Sequence, residues 1–129
     1  MYVDTNVFLL AKFDITARGA AARKILRSVQ KTNNGITSTF TIYEAMGNVR
    51  KFSQAHVRDV VEEFYLMRGL RVVTMSVDAP KRALEHMELH NLKPADALHL
   101  AIMEDLGETV IVSDDKDFDG IAGITRVPL

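Results

Sequence analysis

At 129 residues, 47% of them hydrophobic, the chain can fill one sizeable core and falls short of two. It has no cysteine, which excludes disulfide frameworks and thiolate zinc sites, and no apolar run near the roughly 18 residues of a membrane span. The net charge of −1 hides an imbalance: residues 1–58 carry nine Lys/Arg against three Asp/Glu, and residues 59–129 carry seven against fourteen.

In chain order, "MYVD" reads as a strand over 1–4 and is followed by a short helix around 6–12. A longer helix is expected over 17–31, where Ala21, Ile25 and Val29, with Ala22 and Leu26, share one side. "NNG" breaks it, "GITS" is a short strand, and "STFTIYEAMGNVRKF" is a helix capped by Ser38 or Thr39. "SQAHVRDVVEEFYLMRG" reads as one helix from a Ser53 cap to Gly69, and "LRVVTM" as a strand. Two helices follow, "SVDAPKRALEHMELHN" closing near Asn91 and "KPADALHLAIMEDLG" with Pro94 in its first turn and Gly107 past its end. "TVIVS" is a strand, "DDKDFDGI" a turn or single helical turn, and "ITRVPL" a final edge strand. Strands alternating with helices predict one α/β domain over 1–129, a three-layer α/β/α sandwich around a mostly parallel sheet.

Ligands of such sheets sit at the carboxyl ends of the strands. Asp4 follows the first strand, the helix bearing Glu44 follows the second, and Ser113-Asp114-Asp115 follow the fourth. Asp96 opens the helix begun by Pro94. Four carboxylates brought together would repel one another, and a hard divalent cation with oxygen ligands is the natural compensation. Each acid also has a local explanation. Asp4 can cap the helix after it, and Thr41-Ile42-Tyr43-Glu44 fits a capping box. Asp96 sits where a helix dipole favours an acid, and "SDDKDFD" can be a solvated turn.

In order, "YVDTNVFL", "YEAMGNVRK", "KPADALHLAIMEDLG" and "TVIVSDDKDFDGI" resemble the motifs of PIN-domain ribonucleases, most of all VapC-type toxins of toxin–antitoxin pairs. The resemblance spans essentially the whole chain. It implies a PIN-like fold and Mg²⁺- or Mn²⁺-dependent hydrolysis of RNA phosphodiester bonds. It carries catalytic roles onto Asp4, Glu44, Asp96 and Asp115, with Asp4, Asp96 and Asp115 as metal ligands. Thr5, Asn6 and Ser113 match polar positions around the family's site. Asp114 departs from the family's pattern by adding an adjacent carboxylate, and Asp117 is a further candidate. An RNA substrate, a cognate antitoxin protein and a homodimer are the partners implied.

Two other uses of the scaffold stay open: an RNA-processing PIN nuclease with no antitoxin, and an idle PIN scaffold that binds a protein partner. A haloacid-dehalogenase-type phosphatase needs a second Asp at position 6, where Asn6 stands, and a receiver domain needs an Asp at the third strand end. His86 and His90 stand four apart on a face expected to be solvated. His99, on the apolar side of its helix, is expected to be a core or near-site histidine rather than a ligand. Arg18, Arg23, Lys24, Arg27, Arg50 and Lys51 are candidates to track an RNA backbone. The N-terminus has neither the basic segment nor the apolar stretch of a signal peptide, so a cytoplasmic protein with no membrane association is expected.

Overall fold

The two-residue strand β1, Tyr2–Val3, occupies the middle of a five-stranded, wholly parallel sheet ordered β3-β2-β1-β4-β5 in the computed structural model, which describes residues 1–129. Its neighbours are β2 (Gly35–Ser38) and β4 (Val110–Val112), with β3 (Leu70–Val73) and β5 (Thr125–Val127) at the edges. The helices are α1 (Thr5–Phe13), α2 (Ala17–Thr32), α3 (Thr39–Arg50), α4 (Val57–Leu66), α5 (Ala79–His90) and α6 (Pro94–Leu106). Tyr2 pairs with Ile36 on one side and Ile111 on the other, and Val3 pairs with Val112.

Side chains alternate across a strand, so this register sends Tyr2 and Ile111 to one face and Val3 and Val112 to the other. Two cores result. Tyr2 and Ile111 pack with Ala83 of α5 and Leu100, Ile102 and Met103 of α6. Val3 and Val112 pack with Val7 and Phe8 of α1, Leu26 and Val29 of α2, Ile42 and Val49 of α3, and Val60 and Phe64 of α4. Helices therefore cover both faces, the three-layer α/β/α arrangement that alternating elements predict, and both faces are apolar for that reason.

Local chemistry sets most boundaries. Pro94 and Pro80 sit in the first turns of α6 and α5, where a missing N–H costs nothing. Asn91 closes α5 and Gly107 closes α6 in the left-handed conformation, at φ 52° and 63°. Ser38, rather than Thr39, caps α3 by accepting the Thr41 amide.

The expected helix over 53–68 is divided. Ser53 Oγ bonds the His56 Nδ1 instead of a backbone amide, a 3-10 turn follows at Gln54–His56, and α4 starts only at Val57. It stops at Leu66 because Met67 turns extended and packs against the core. The sheet is wholly rather than mostly parallel, since β5 runs with β4. No helix is long and apolar enough to cross a membrane.

Candidate functional site

The strand order reverses direction about β1, and the carboxyl ends of β1, β2 and β4 lie side by side. Asp4 leaves β1 in extended backbone, its amide donating to Val112 O of β4 at 3.0 Å. The residue is 5% exposed, and its carboxylate is heavily engaged. Oδ1 accepts the Thr5 amide, which makes Asp4 the cap of α1, and Oδ2 accepts Asn6 Nδ2 and Ser113 Oγ, all at 2.6 Å. Capping and membership of an acidic group are thus the same geometry, not competing explanations. Burial pushes the Asp4 carboxyl upward against these donors.

Glu44 makes no capping box. Its Oε2 accepts Thr5 Oγ1 and His99 Nε2, each at 2.6 Å, and no protein donor reaches Oε1. Burial alone would raise the Glu44 carboxyl, but the bond and charge of His99, with Thr5, outweigh it and hold the group below its ordinary range. Burial likewise opposes charge on His99, and the Glu44 bond together with the charges of Asp4, Glu44 and Asp96 raises it. His99 Nε2 also stands 3.5 Å from Asp4 Oδ1. Asp4, Glu44 and His99 can offer ligand atoms within 4.8 Å of one another.

A second group adjoins the first. Asp96, Asp115 and Asp117 also present ligand atoms within 4.8 Å of one another. Burial, then the charges of Asp115 and Asp4, push the Asp96 carboxyl up to about 6, so Asp96 feels both groups. Asp115 is half-buried, its amide donating to Ser113 Oγ at 2.9 Å and its Oδ1 accepting the Asp117 amide. Asp117 is exposed and lies 3.5 Å from Lys93. Asp114 goes elsewhere: its carboxylate pairs with Arg18, and only its amide touches the cluster, donating to Asn6 Oδ1 at 3.1 Å.

The four acids singled out in the sequence therefore fall into two neighbouring sets, Asp4 with Glu44 and Asp96 with Asp115. Thr5, Asn6 and Ser113 bond directly to the first set and Asp117 joins the second. His99 belongs to this region more intimately than its apolar helical face indicated. Its spacing of three from Asp96 was the available signal. Two candidate RNA contacts have structural partners: Arg23 donates to the carbonyls of Ala11 and Asp14 at the end of α1, and Arg18 pairs with Asp114. His86 is mostly buried rather than solvated, its side chain 13% exposed, and its Nε2 lies 3.1 Å from Glu104.

The donor set suits a hard divalent cation. It is dominated by carboxylate oxygens, and a cation relieves the upward push that burial, then the charges of Asp115 and Asp4, exert on Asp96. Without metal, burial and repulsion of the ionised group together destabilise the fold. Above about pH 6 the folded protein carries an ionised Asp96 that the unfolded chain, with its carboxyl near 3.8, accommodates more easily. Below 3.8 both states hold the proton and the penalty disappears. Metal-free Asp96→Asn is therefore expected to exceed wild type by about 1 kcal/mol at pH 7. That is less than the full shift implies, because the group is partly solvated and the α6 dipole contributes roughly 0.3–1 kcal/mol in the opposite sense. The gap should close as the pH falls through 4. Melts in chelator at both pH values check this, and a lower melting point for Asp96→Asn at pH 7 would make Asp96 a simple helix cap.

Comparison with known proteins agrees with the fold. The mycobacterial toxin VapC20 of Mycobacterium tuberculosis, described as cleaving the sarcin-ricin loop, superposes with a TM-score of 0.81 at 22% identity, covering 99% of this chain and 98% of its own. A toxin–antitoxin complex from Klebsiella pneumoniae gives 0.67 at 23% identity, covering 96% and 94%. VapBC2 of Rickettsia felis, solved with a promoter DNA fragment, gives 0.73 at 17%, covering 98% and 96%. No curated protein matches by sequence. The PIN domain family model matches residues 1–124, and the chain belongs to the PIN domain family.

Proposed function

We propose that the chain, as one domain over 1–129, is a metal-dependent endoribonuclease and the toxin of a toxin–antitoxin pair. The observation that carries this reading is the meeting of Asp4, Glu44, Asp96 and Asp115 at the carboxyl ends of parallel strands, where Asp96 is pushed up to about 6 by burial and by the charges of Asp115 and Asp4. Asp4, Asp96 and Asp115 would hold Mg²⁺ or Mn²⁺. When bound, the metal supplies an activated water and charge stabilisation for the leaving oxygen. The chain's own residues prepare the rest. Asn6 and Ser113 hold Asp4 in place by donating to Oδ2, and the Ser113 hydroxyl also receives the Asp115 amide, tying the two metal-binding carboxylates to one another. Glu44 keeps one unengaged oxygen beside Asp4 as a proton acceptor.

The toxin assignment rests on family membership and on the likeness to VapC20 and the two toxin–antitoxin complexes. A cognate antitoxin, an RNA substrate and a homodimer go with it. Asp115 and Asp114 give the experiment that tests the site. Asp115→Asn is expected to slow cleavage of single-stranded RNA about 100-fold or more, whereas Asp114→Asn, which removes only a surface pairing with Arg18, should stay within about threefold. The reverse ranking would place the fourth acid one residue earlier.

A further inference from the structure

We propose that the buried Tyr2–His99 pair is a positioning device for Glu44, gripping Oε2 from inside the protein so that Oε1 alone is presented for chemistry. This rests on the nuclease reading above and adds two residues to it. Tyr2 Oη lies 2.9 Å from His99 Nδ1, 2.8 Å from Ser38 Oγ and 3.3 Å from Thr41 Oγ1. Tyr2, Ser38 and Thr41 are 0% exposed and His99 is 1% exposed. Glu44, where the network ends, has a side chain 20% exposed. A line of hydrogen bonds thus runs from the dry interior to one oxygen of a carboxylate at the rim.

Burying a phenol, an imidazole and two hydroxyls together is costly, and an apolar residue would fill the His99 position at less expense. The network's bonds repay that cost only when all are made. Its directions are set by chemistry. An ionised carboxylate only accepts, so His99 Nε2 must carry a proton and donate to Glu44 in either protonation state of the ring. Nδ1 faces Tyr2 Oη, which can donate to it or accept from it while Ser38 takes the remaining bond. The ring is held further by its edge-on contact with Tyr2 and by Phe40, at centroid distances of 5.6 and 5.0 Å. Chain placement makes the arrangement economical. Tyr2 stands two residues before Asp4 on one strand face, and His99 one helical turn after Asp96. The same two elements that present the acids also brace Glu44.

The test uses full-length protein and two readouts: Mn²⁺ affinity, from titration followed by the signal of free Mn²⁺, and kcat and KM for a single-stranded RNA. His99→Leu fills the space and removes the donor. His99→Gln returns an N–H to the carboxylate. Tyr2→Phe keeps the ring and deletes only the hydroxyl, so it stays informative if His99→Leu fails to fold. Supporting contacts of this kind are worth about 10–100-fold in metal affinity or activity. His99→Leu should lower kcat by about that factor, with KM and Mn²⁺ affinity each within about twofold, because Glu44 is the proton acceptor and Asp4, Asp96 and Asp115 hold the metal. His99→Gln should recover most of the loss, and Tyr2→Phe should lose several-fold in kcat. Folded His99→Leu or Tyr2→Phe protein that cleaves as wild type overturns the proposal, as does His99→Gln falling as far as His99→Leu. Wild type that binds no Mn²⁺ and cleaves nothing overturns the nuclease reading, and this inference with it.

Discussion

Asp4→Asn should leave the protein folded and reduce RNA cleavage by a factor of about 10³ or more, equivalent to roughly 4 kcal/mol of transition-state stabilisation. Asp4 is the most enclosed of the acids, and its two oxygens receive the Thr5 amide, Asn6 Nδ2 and Ser113 Oγ. An asparagine keeps the volume and one accepting oxygen, so α1 retains its cap. Its amide nitrogen, however, faces groups that themselves donate, and it cannot ligate a hard cation as a carboxylate does. Burial already disfavours the Asp4 charge, so losing it costs the fold little. Single-turnover cleavage at saturating Mn²⁺, beside a thermal melt, measures both halves. Cleavage within tenfold of wild type would remove Asp4 from the machinery.

Phe118→Ala carries the largest expected stability effect, a loss of about 3–5 kcal/mol, the usual range for emptying a buried phenylalanine site. Phe118 ends the 3-10 turn Lys116–Phe118 and is 0% exposed, packed in the core that holds Tyr2, Leu100 and Ile111. A domain of this size has about 5–15 kcal/mol in all, so the loss should lower the melting point by roughly 10–20 °C. The same side chain fastens the turn that carries Asp115 and Asp117, so metal binding should weaken at temperatures where the variant is still folded. Calorimetric melts with and without Mg²⁺ check both. A melting point within a few degrees of wild type would mean that the turn is held by other contacts, such as the Asp119–Arg126 pair.

Much of this architecture is legible in the residues because the punctuation is strong. Pro94, Gly107 and Asn91 bound their helices, and apolar strands between amphipathic helices point to a parallel sheet covered on both faces. The acids stood out because polar residues at strand ends are conspicuous after apolar runs. What stayed illegible depended on long-range neighbours. The interruption at Gln54–His56 hangs on a Ser53–His56 side-chain bond that helix patterning does not encode. Thr41 to Glu44 has capping-box spacing, yet Glu44 is claimed by Thr5 and His99, 39 and 55 residues away. His99 reads as core from its helical face and is core, but the partners that give it meaning come from β1 and α3. Asp114 and Asp115 are chemically identical neighbours, distinguished only by distant partners: Arg18 takes the Asp114 carboxylate, and Asp115 gathers with Asp96 of α6. Arg23 is one of six candidates to track an RNA backbone, and the sequence does not reveal that it satisfies two carbonyls at the end of α1.

The central claim, that these carboxylates make a metal-dependent nuclease, is tested most directly by cleavage of a single-stranded RNA by the wild-type protein. Three conditions suffice: added Mg²⁺ or Mn²⁺, excess EDTA, and EDTA followed by metal in excess. The account predicts cleavage in the first, none in the second and recovery in the third, because uncompensated carboxylates repel the phosphate they are meant to cleave. Full cleavage in excess EDTA would contradict it.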